Sequence, residues 1–180
     1  MFSELFAGGV YFVGIGGVSM SALARLLNAH AVRVRGSDAA EGAFLPVLRR
    51  EGISVSLGSA EAISEDTVVF TGAVDGTHPQ VAAARRAGKR LLPRAQLLGL
   101  IAEQFPMTIS FAGCHGKTTA TAMLSHILRG RRPFTCHIGG EDLDLSNFYA
   151  DGEEVFVTEA CEFQRSFLSL KSGIAVVLNI

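Results

Sequence analysis

Apolar residues along the chain fall into short continuous runs separated by stretches with helical spacing. Gly9 to Val13 reads as a buried strand and Gly14 to Gly17 as a turn, while Met20, Leu23, Ala24, Leu26 and Leu27 recur on one helix face. The alternation continues with a strand over 31–35, a helix over 44–51, strands over 54–57 and 67–70, a helix over 80–87, a strand over 90–92 and a helix over 94–104. Strands separated by helices predict a parallel sheet with right-handed crossovers.

Phe105-Pro106 breaks the pattern, because proline cannot continue a helix and biases the preceding residue toward extended backbone. A domain boundary is expected there, giving domains of 1–105 and 106–180. The second domain reads as a strand over 107–111, a helix over 117–129, a turn at Arg132-Pro133 and strands over 154–159 and 174–180. The final run, Gly173 to Ile180, predicts a central strand of a parallel sheet, buried on both faces. Neither internal repeats nor low-complexity segments interrupt this reading.

The most specific chemistry lies at Ala112-Gly113-Cys114-His115-Gly116-Lys117-Thr118-Thr119, between a predicted strand and a predicted helix. A tight glycine loop opening a helix places backbone N–H groups, a helix N-terminus and one lysine around a phosphate, and the hydroxyl of Thr118 can hold Mg²⁺. The loop is shorter than G-x-x-x-x-G-K-[ST], since Phe111 stands where that pattern requires glycine. The plainer alternative is a glycine-rich turn with a solvated lysine.

A second glycine loop, Gly14-Ile15-Gly16-Gly17-Val18-Ser19, approximates the dinucleotide-binding pattern G-x-G-x-x-G, with Asp38 after the next strand. Ser19 replaces the third glycine. Gly14, Gly16 and Gly17 would admit a pyrophosphate close to the backbone, and Asp38 could accept from a ribose or base donor. Alternatively Gly36-Ser37-Asp38 is a turn and the glycines are strand-end punctuation. Together the two loops predict an α/β chain, with a Rossmann-like parallel-sheet domain followed by a truncated P-loop parallel-sheet domain.

Composition narrows the function. The chain has 180 residues, 48% of them hydrophobic, and a net charge of −1, so it can bury a core and carries no electrostatic footprint for nucleic acid. Arg129, Arg131 and Arg132 read as a solvated turn. Cys114, Cys136 and Cys161 show no zinc spacing, Cys136-His137 reads as packing, and a reduced cytoplasmic compartment is expected. Twenty uncharged residues lie between Glu4 and Arg25, but their glycines and serines divide them into a strand and a loop, so no membrane segment is expected.

Two phosphate-binding units in tandem, carrying Gly14 to Ser21, Gly36-Ser37-Asp38, Pro93-Arg94-Ala95, Gly113 to Thr119, Gly139-Gly140 and Glu159-Ala160-Cys161-Glu162 with Ser166-Phe167-Leu168, resemble the Mur ligase family. The resemblance runs in order over essentially the whole chain. It implies ATP-dependent ligation of L-alanine to UDP-N-acetylmuramate through an acyl phosphate, in peptidoglycan precursor synthesis. Gly14, Gly16, Gly17, Ser19, Ser37 and Asp38 would hold the UDP-sugar. Gly113, Cys114, His115, Gly116, Lys117, Thr118 and Thr119 would hold ATP, with Lys117 and Glu159 catalytic and Thr118 and Glu159 the Mg²⁺ ligands.

Several positions depart from the family. Cys114 stands where threonine is usual, Cys161 and Gln164 replace aspartates, and Thr77-His78-Pro79-Gln80 stands where Asn-Pro-Glu is common. The Asp-His element and C-terminal domain expected after Ile180 are absent from the sequence, so these residues alone are not expected to complete ligation. Self-association through the edge left by the truncated sheet is open. The competing classes are a non-catalytic UDP-sugar or nucleotide-binding module and an NAD-dependent oxidoreductase.

Overall fold

In the computed structural model, residues 2–58, 62–72, 74, 76–161 and 167–179 are described. Expectations placed on Glu162, Gln164 and Ser166 lie outside the described residues. The fold is α/β, and the chain divides into two compact units, Met1–Leu97 and Leu98–Ile180.

The first unit runs α1 (Phe2–Leu5), β1 (Val10–Val13), α2 (Val18–Ala29), β2 (Val34–Asp38), α3 (Leu45–Arg50), β3 (Ser54–Leu57), β4 (Thr67–Phe70), α4 (Pro79–Arg86) and β5 (Arg90–Pro93). Its sheet is parallel in the order β3-β2-β1-β4-β5. The chain winds outward from β1 to β3 and then returns to β1's other side, so the strand order reverses beside β1. Ligands of open α/β sheets sit beyond the strand carboxyl ends at such a reversal. Every residue of β1 is buried, as its apolar run predicts, and Met20, Leu23, Leu26 and Leu27 supply the buried face of α2.

The second strand is displaced from its expected position. Ala31 turns out of α2 with φ of 59°, and Ala31 N–H and Val32 N–H return to Asn28 O and Leu27 O at 3.0 Å. Residues 31–33 are thus spent on the helix exit, and β2 extends through Gly36-Ser37-Asp38, which is strand and not turn. Gly36 is accommodated there because an added Cβ would lie 2.6 Å from Phe12 O.

Helix α5 (Arg94–Ala102) spans the division between the units. The second unit continues with β6 (Met107–Ala112), α6 (Lys117–Leu128), β7 (Phe134–Asp142), β8 (Ser146–Ala150), β9 (Val155–Glu159) and β10 (Ile174–Val177). Its sheet, ordered β10-β6-β9-β7-β8, is mixed, since β7 and β8 pair antiparallel. The expected parallel pairing holds for β10, β6, β9 and β7, and the antiparallel β8 adds a hairpin that the sequence reading did not include. The hairpin is hidden in the sequence because glycines and acids interrupt the apolar alternation of 134–150. Its core nonetheless contains Phe134, Cys136, Ile138 and Leu145, packed with Phe111 and Val157 and covered by Ala120, Leu124 and Leu128 of α6.

The last strand is also corrected. Among the described residues β10 pairs only with β6 and forms the sheet edge, leaving Ile174 47% and Val177 62% exposed. An apolar run shows what a strand can bury, not which strand stands beside it. Among the described residues, no helix is long and apolar enough to cross a membrane.

The β7–β8 connection hangs on Asp142, whose Oδ1 accepts N–H bonds from Asp144 at 3.0 Å and Leu145 at 2.9 Å. The bond from Leu145 N–H, with further help from Asp144 N–H and His126, holds its carboxyl below the ordinary value of 3.8. A lowered folded-state value stabilises the fold above that ordinary value, and the contribution is lost as pH falls through the folded value. Replacing Asp142 by Ala is expected to cost about 1–2 kcal/mol near neutral pH. Urea unfolding of both proteins should show this gap closing as pH falls below 3.8.

Candidate functional site

Two separate loop systems lie at strand carboxyl ends, one in each unit. In the first, a cavity of about 660 Å³ is lined by Gly14, Gly16, Gly17, Ser37 and Asp38, among others. The glycine loop is tied to the end of β2: Gly14 N–H and Ile15 N–H both donate to Ser37 O, at 2.8 and 3.0 Å. The Asp38 carboxylate accepts Gly16 N–H on Oδ2 and Ala39 N–H on Oδ1, each at 2.8 Å. A Cβ on Gly16 would stand 2.9 Å from Asp38 Oδ2 and from Leu45 Cδ2, so the loop can close on the strand only with glycine there.

This closure leaves the N-terminus of the twelve-residue α2 at the loop, with Gly17 as an N-cap that supplies no side-chain hydrogen bond. Its N–H groups and dipole suit an anion. Of the expected UDP-sugar residues, five line the cavity together. Ser19 does not; its hydroxyl accepts a bond from Arg94 Nη1 at 3.0 Å.

The cavity floor contains a buried polar chain that sequence reasoning missed. Ser37 Oγ donates to Gln80 Oε1 at 2.9 Å, and Gln80 Nε2 donates to Tyr11 OH at 3.0 Å, linking β2, α4 and β1. An amide can serve both hydroxyls because it offers an acceptor and a donor. The available signal was a glutamine in a short helix where the resembling family commonly has glutamate.

In the second unit, β6 ends in the loop 113–116 and α6 begins at Lys117. Gly113 and Gly116 take φ of 134° and 83°, backbone that favours glycine, and Gly116 is the N-cap of α6. Lys117 Nζ donates to Gly113 O at 2.5 Å, which folds the ammonium over the loop. Cys114, His115, Gly116 and Thr119 are exposed, and Lys117 and Thr118 are half-buried. The loop is thus a short turn of backbone at a helix N-terminus with the Lys117 ammonium folded over it.

Glu159 and Thr118 each meet one residue of Gly139-Gly140. Glu159 Oε1 accepts Gly139 N–H at 2.7 Å, a Cβ on Gly139 would lie 2.6 Å from Glu159 Oε2, and one on Gly140 would lie 2.8 Å from Thr118 Cγ2. The dipeptide therefore flanks both side chains without occupying their space. Among the described residues, no group of three or more His, Cys, Asp or Glu gathers to hold a metal. A hydroxyl and a carboxylate are the hard oxygen donors that suit Mg²⁺, which in phosphate-transfer sites takes one or two protein oxygens with phosphates and waters. The donor set fits.

Cys136-His137 packs in the core as expected: Cys136 is buried, and His137 Nδ1 lies 2.9 Å from Thr158 Oγ1. Burial pushes the Cys136 thiol up to about 11. Cys114, by contrast, is exposed at the tip of the phosphate loop.

Comparison with known proteins identifies relatives for both units. The model of the Mur ligase family, catalytic domain, matches residues 9–106. The UDP-N-acetylmuramate–L-alanine ligase of Agathobacter rectalis is 40% identical over 176 residues, covering 95% of this chain and 38% of that relative. The ligase of the same name from Acetivibrio thermocellus is 42% identical over 175 residues, covering 95% and 37%. The crystal structure of UDP-N-acetylmuramate-alanine ligase MurC from Thermotoga maritima superposes with a TM-score of 0.86 at 27% identity, covering 94% of this chain and 40% of that one. The chain thus spans less than half the length of each of these three relatives.

Two outcomes test this geometry. A neutral-pH alkylating reagent should modify Cys114 in the folded protein and reach Cys136 only in denaturant, as read by peptide mass spectrometry. Gln80→Leu should strand the Ser37 and Tyr11 hydroxyls and lower unfolding stability by about 1–3 kcal/mol. Equal stability of the two proteins would remove the polar chain from the architecture of the cavity floor.

Proposed function

The chain belongs to the Mur ligase family, and on that premise we propose that it binds UDP-N-acetylmuramate in the first unit and Mg²⁺-ATP in the second. The reaction served is the ATP-dependent ligation of L-alanine to UDP-N-acetylmuramate in cytoplasmic peptidoglycan precursor synthesis. The observation that carries this reading is the pair of independent cradles at strand carboxyl ends, the second equipped with Lys117, Thr118 and Glu159. An oxidoreductase has use for the first loop but none for the second. We assign the UDP-sugar to a domain of 1–105 and ATP to a domain of 106–180.

In this chemistry a muramyl carboxylate oxygen bonds to the γ-phosphorus of ATP as ADP departs, and the amine of L-alanine then displaces phosphate from the acyl carbon. The residues here act on the first step. The N-terminus of α2 and the glycine loop would bind the diphosphate of the UDP-sugar, held in shape by Asp38. Lys117 would exchange its bond to Gly113 O for the β- and γ-phosphate oxygens, countering negative charge where it develops. Thr118 Oγ1 and Glu159 Oε2 would hold Mg²⁺, whose charge draws electron density from the transferring phosphoryl group.

The L-alanine assignment rests on the names of relatives at 40% and 42% identity. The free cysteines Cys114, Cys136 and Cys161 support a reducing compartment. Because the matched relatives are more than twice as long, binding of each ligand is the direct readout.

Calorimetry with UDP-N-acetylmuramate, UDP, NAD and Mg²⁺-ATP tests the proposal. Saturable binding of the UDP-sugar and of Mg²⁺-ATP is expected, with no binding of NAD. Lys117→Ala should weaken Mg²⁺-ATP by about 10- to 100-fold, the range for a charged hydrogen bond, and leave the UDP-sugar unaffected. NAD binding in place of the UDP-sugar would overturn the ligase reading.

A further inference from the structure

The phosphate loop is held by a side chain from outside its own strand and helix. Asn179 follows β10, and its side-chain amide pairs with both backbone groups of His115: His115 N–H donates to Asn179 Oδ1 at 3.1 Å, and Asn179 Nδ2 donates to His115 O at 3.0 Å. Just before it, Leu178 N–H donates to Ala112 O at 2.9 Å. The amide thus continues the β6–β10 ladder past the end of both strands, imitating a peptide group where β6 has turned into the loop.

Two further contacts fit this arrangement. A Cβ on Gly113 would lie 3.1 Å from Asn179 N and O and 3.2 Å from Asn179 Oδ1, so the loop's first glycine lies against this residue. The bond from Lys117 Nζ to Gly113 O closes the other side of the loop. Satisfying both His115 backbone groups from the β10 side commits the two peptide units flanking that residue to Asn179. The N–H groups at the start of α6 remain the ones positioned for a phosphate.

We propose that Asn179 is the positioning residue of the phosphate loop, holding 113–116 in the phosphate-binding form before nucleotide arrives. This inference rests on the nucleotide reading of the second cradle. Without the amide, His115 N–H and O must be satisfied by water and the loop can sample other conformations. Ordering it again would then be charged against nucleotide binding. Asn179 touches the loop and not the phosphates, so its effect falls on ATP affinity and leaves the UDP-sugar site unchanged.

The test uses the whole chain with Asn179→Ala and Asn179→Asp. Hydrogen exchange at the His115 amide, followed by mass spectrometry without ligand, should be faster in Asn179→Ala than in the wild type. Mg²⁺-ATP affinity should fall about ten-fold, the equivalent of roughly 1.4 kcal/mol, while UDP-N-acetylmuramate affinity holds. In Asn179→Asp an ionised carboxylate faces His115 O and cannot donate, whereas the protonated acid restores one donor and one acceptor. Its ATP affinity relative to wild type at the same pH should therefore stay low at neutral pH and recover only as pH falls toward about 4, the ordinary aspartate range.

A purely structural role would move neither that ratio nor ATP affinity independently of the UDP-sugar. Unchanged exchange at His115, or wild-type ATP affinity in Asn179→Ala, would overturn the inference while leaving the nucleotide reading intact. Failure of the wild-type chain itself to bind Mg²⁺-ATP, with UDP-sugar binding retained, would overturn both.

Discussion

Both candidate sites depend on backbone approaching another group so closely that no side chain fits between. Gly16 closes on the Asp38 carboxylate, Gly36 on Phe12 O, Gly113 on Asn179, Gly139 on Glu159 and Gly140 on Thr118, with an added Cβ falling between 2.6 and 3.1 Å from each partner. Contacts this short cannot be relieved by a rotamer change when the opposing atom is backbone or a hydrogen-bonded carboxylate. The glycines thereby convert strand ends into places where N–H groups and charged side chains converge on a small volume. The polar groups at these approaches are paired: Asp38 with two N–H groups, Glu159 with one, and the His115 backbone N–H and C=O with the two halves of an amide.

The sheets decide where these convergences occur. In the first unit the strand order reverses beside β1, and the carboxyl ends of β1, β2 and β4 open onto the same cavity. In the second, β6 carries the phosphate loop, with β9 on one side supplying Glu159 and β10 on the other leading into Asn179. Beyond β9, β7 supplies Gly139-Gly140. The hairpin with β8 serves this end indirectly, since its Asp142 turn fixes the strand that carries the glycine pair. Glu159 and Gly139-Gly140 thus come from neighbouring strands, whereas Lys117 and Thr118 follow the loop directly in sequence.

That distinction explains what could be read from the sequence. Loops tied to local geometry were legible: the glycines of 14–17 and the lysine and threonines after Gly116 sit where a strand-turn-helix pattern puts them, whereas Asp38, expected beyond a strand ending at 35, closes β2 itself. Long-range pairings were not. Gln80 reads as one polar residue in a short helix until Ser37 and Tyr11 are seen on either side of it, and Asn179 reads as an interruption in an apolar run until His115 is seen across from it. The β7–β8 hairpin escaped because Gly139-Gly140, which lie against Glu159 and Thr118, and the acids that follow interrupt the alternation that would have marked the strand.

The same logic bears on the substitution of cysteine at position 114. The cradle is built from backbone N–H groups, a helix N-terminus and Lys117, and the loop's conformation is set by Gly113, Gly116 and the amide of Asn179. The Cys114 side chain contributes to none of these bonds and stands exposed at the loop tip. Replacing a hydroxyl by a thiol there removes at most one side-chain donor while every backbone donor stays in place, so the architecture tolerates it. A change at Gly113 has the opposite character: a Cβ would need φ of 134° and space already held by Asn179, and it would displace the loop and its clamp together. The residues that matter most to this phosphate loop are therefore those that shape its backbone, including one that lies more than sixty positions away in the chain.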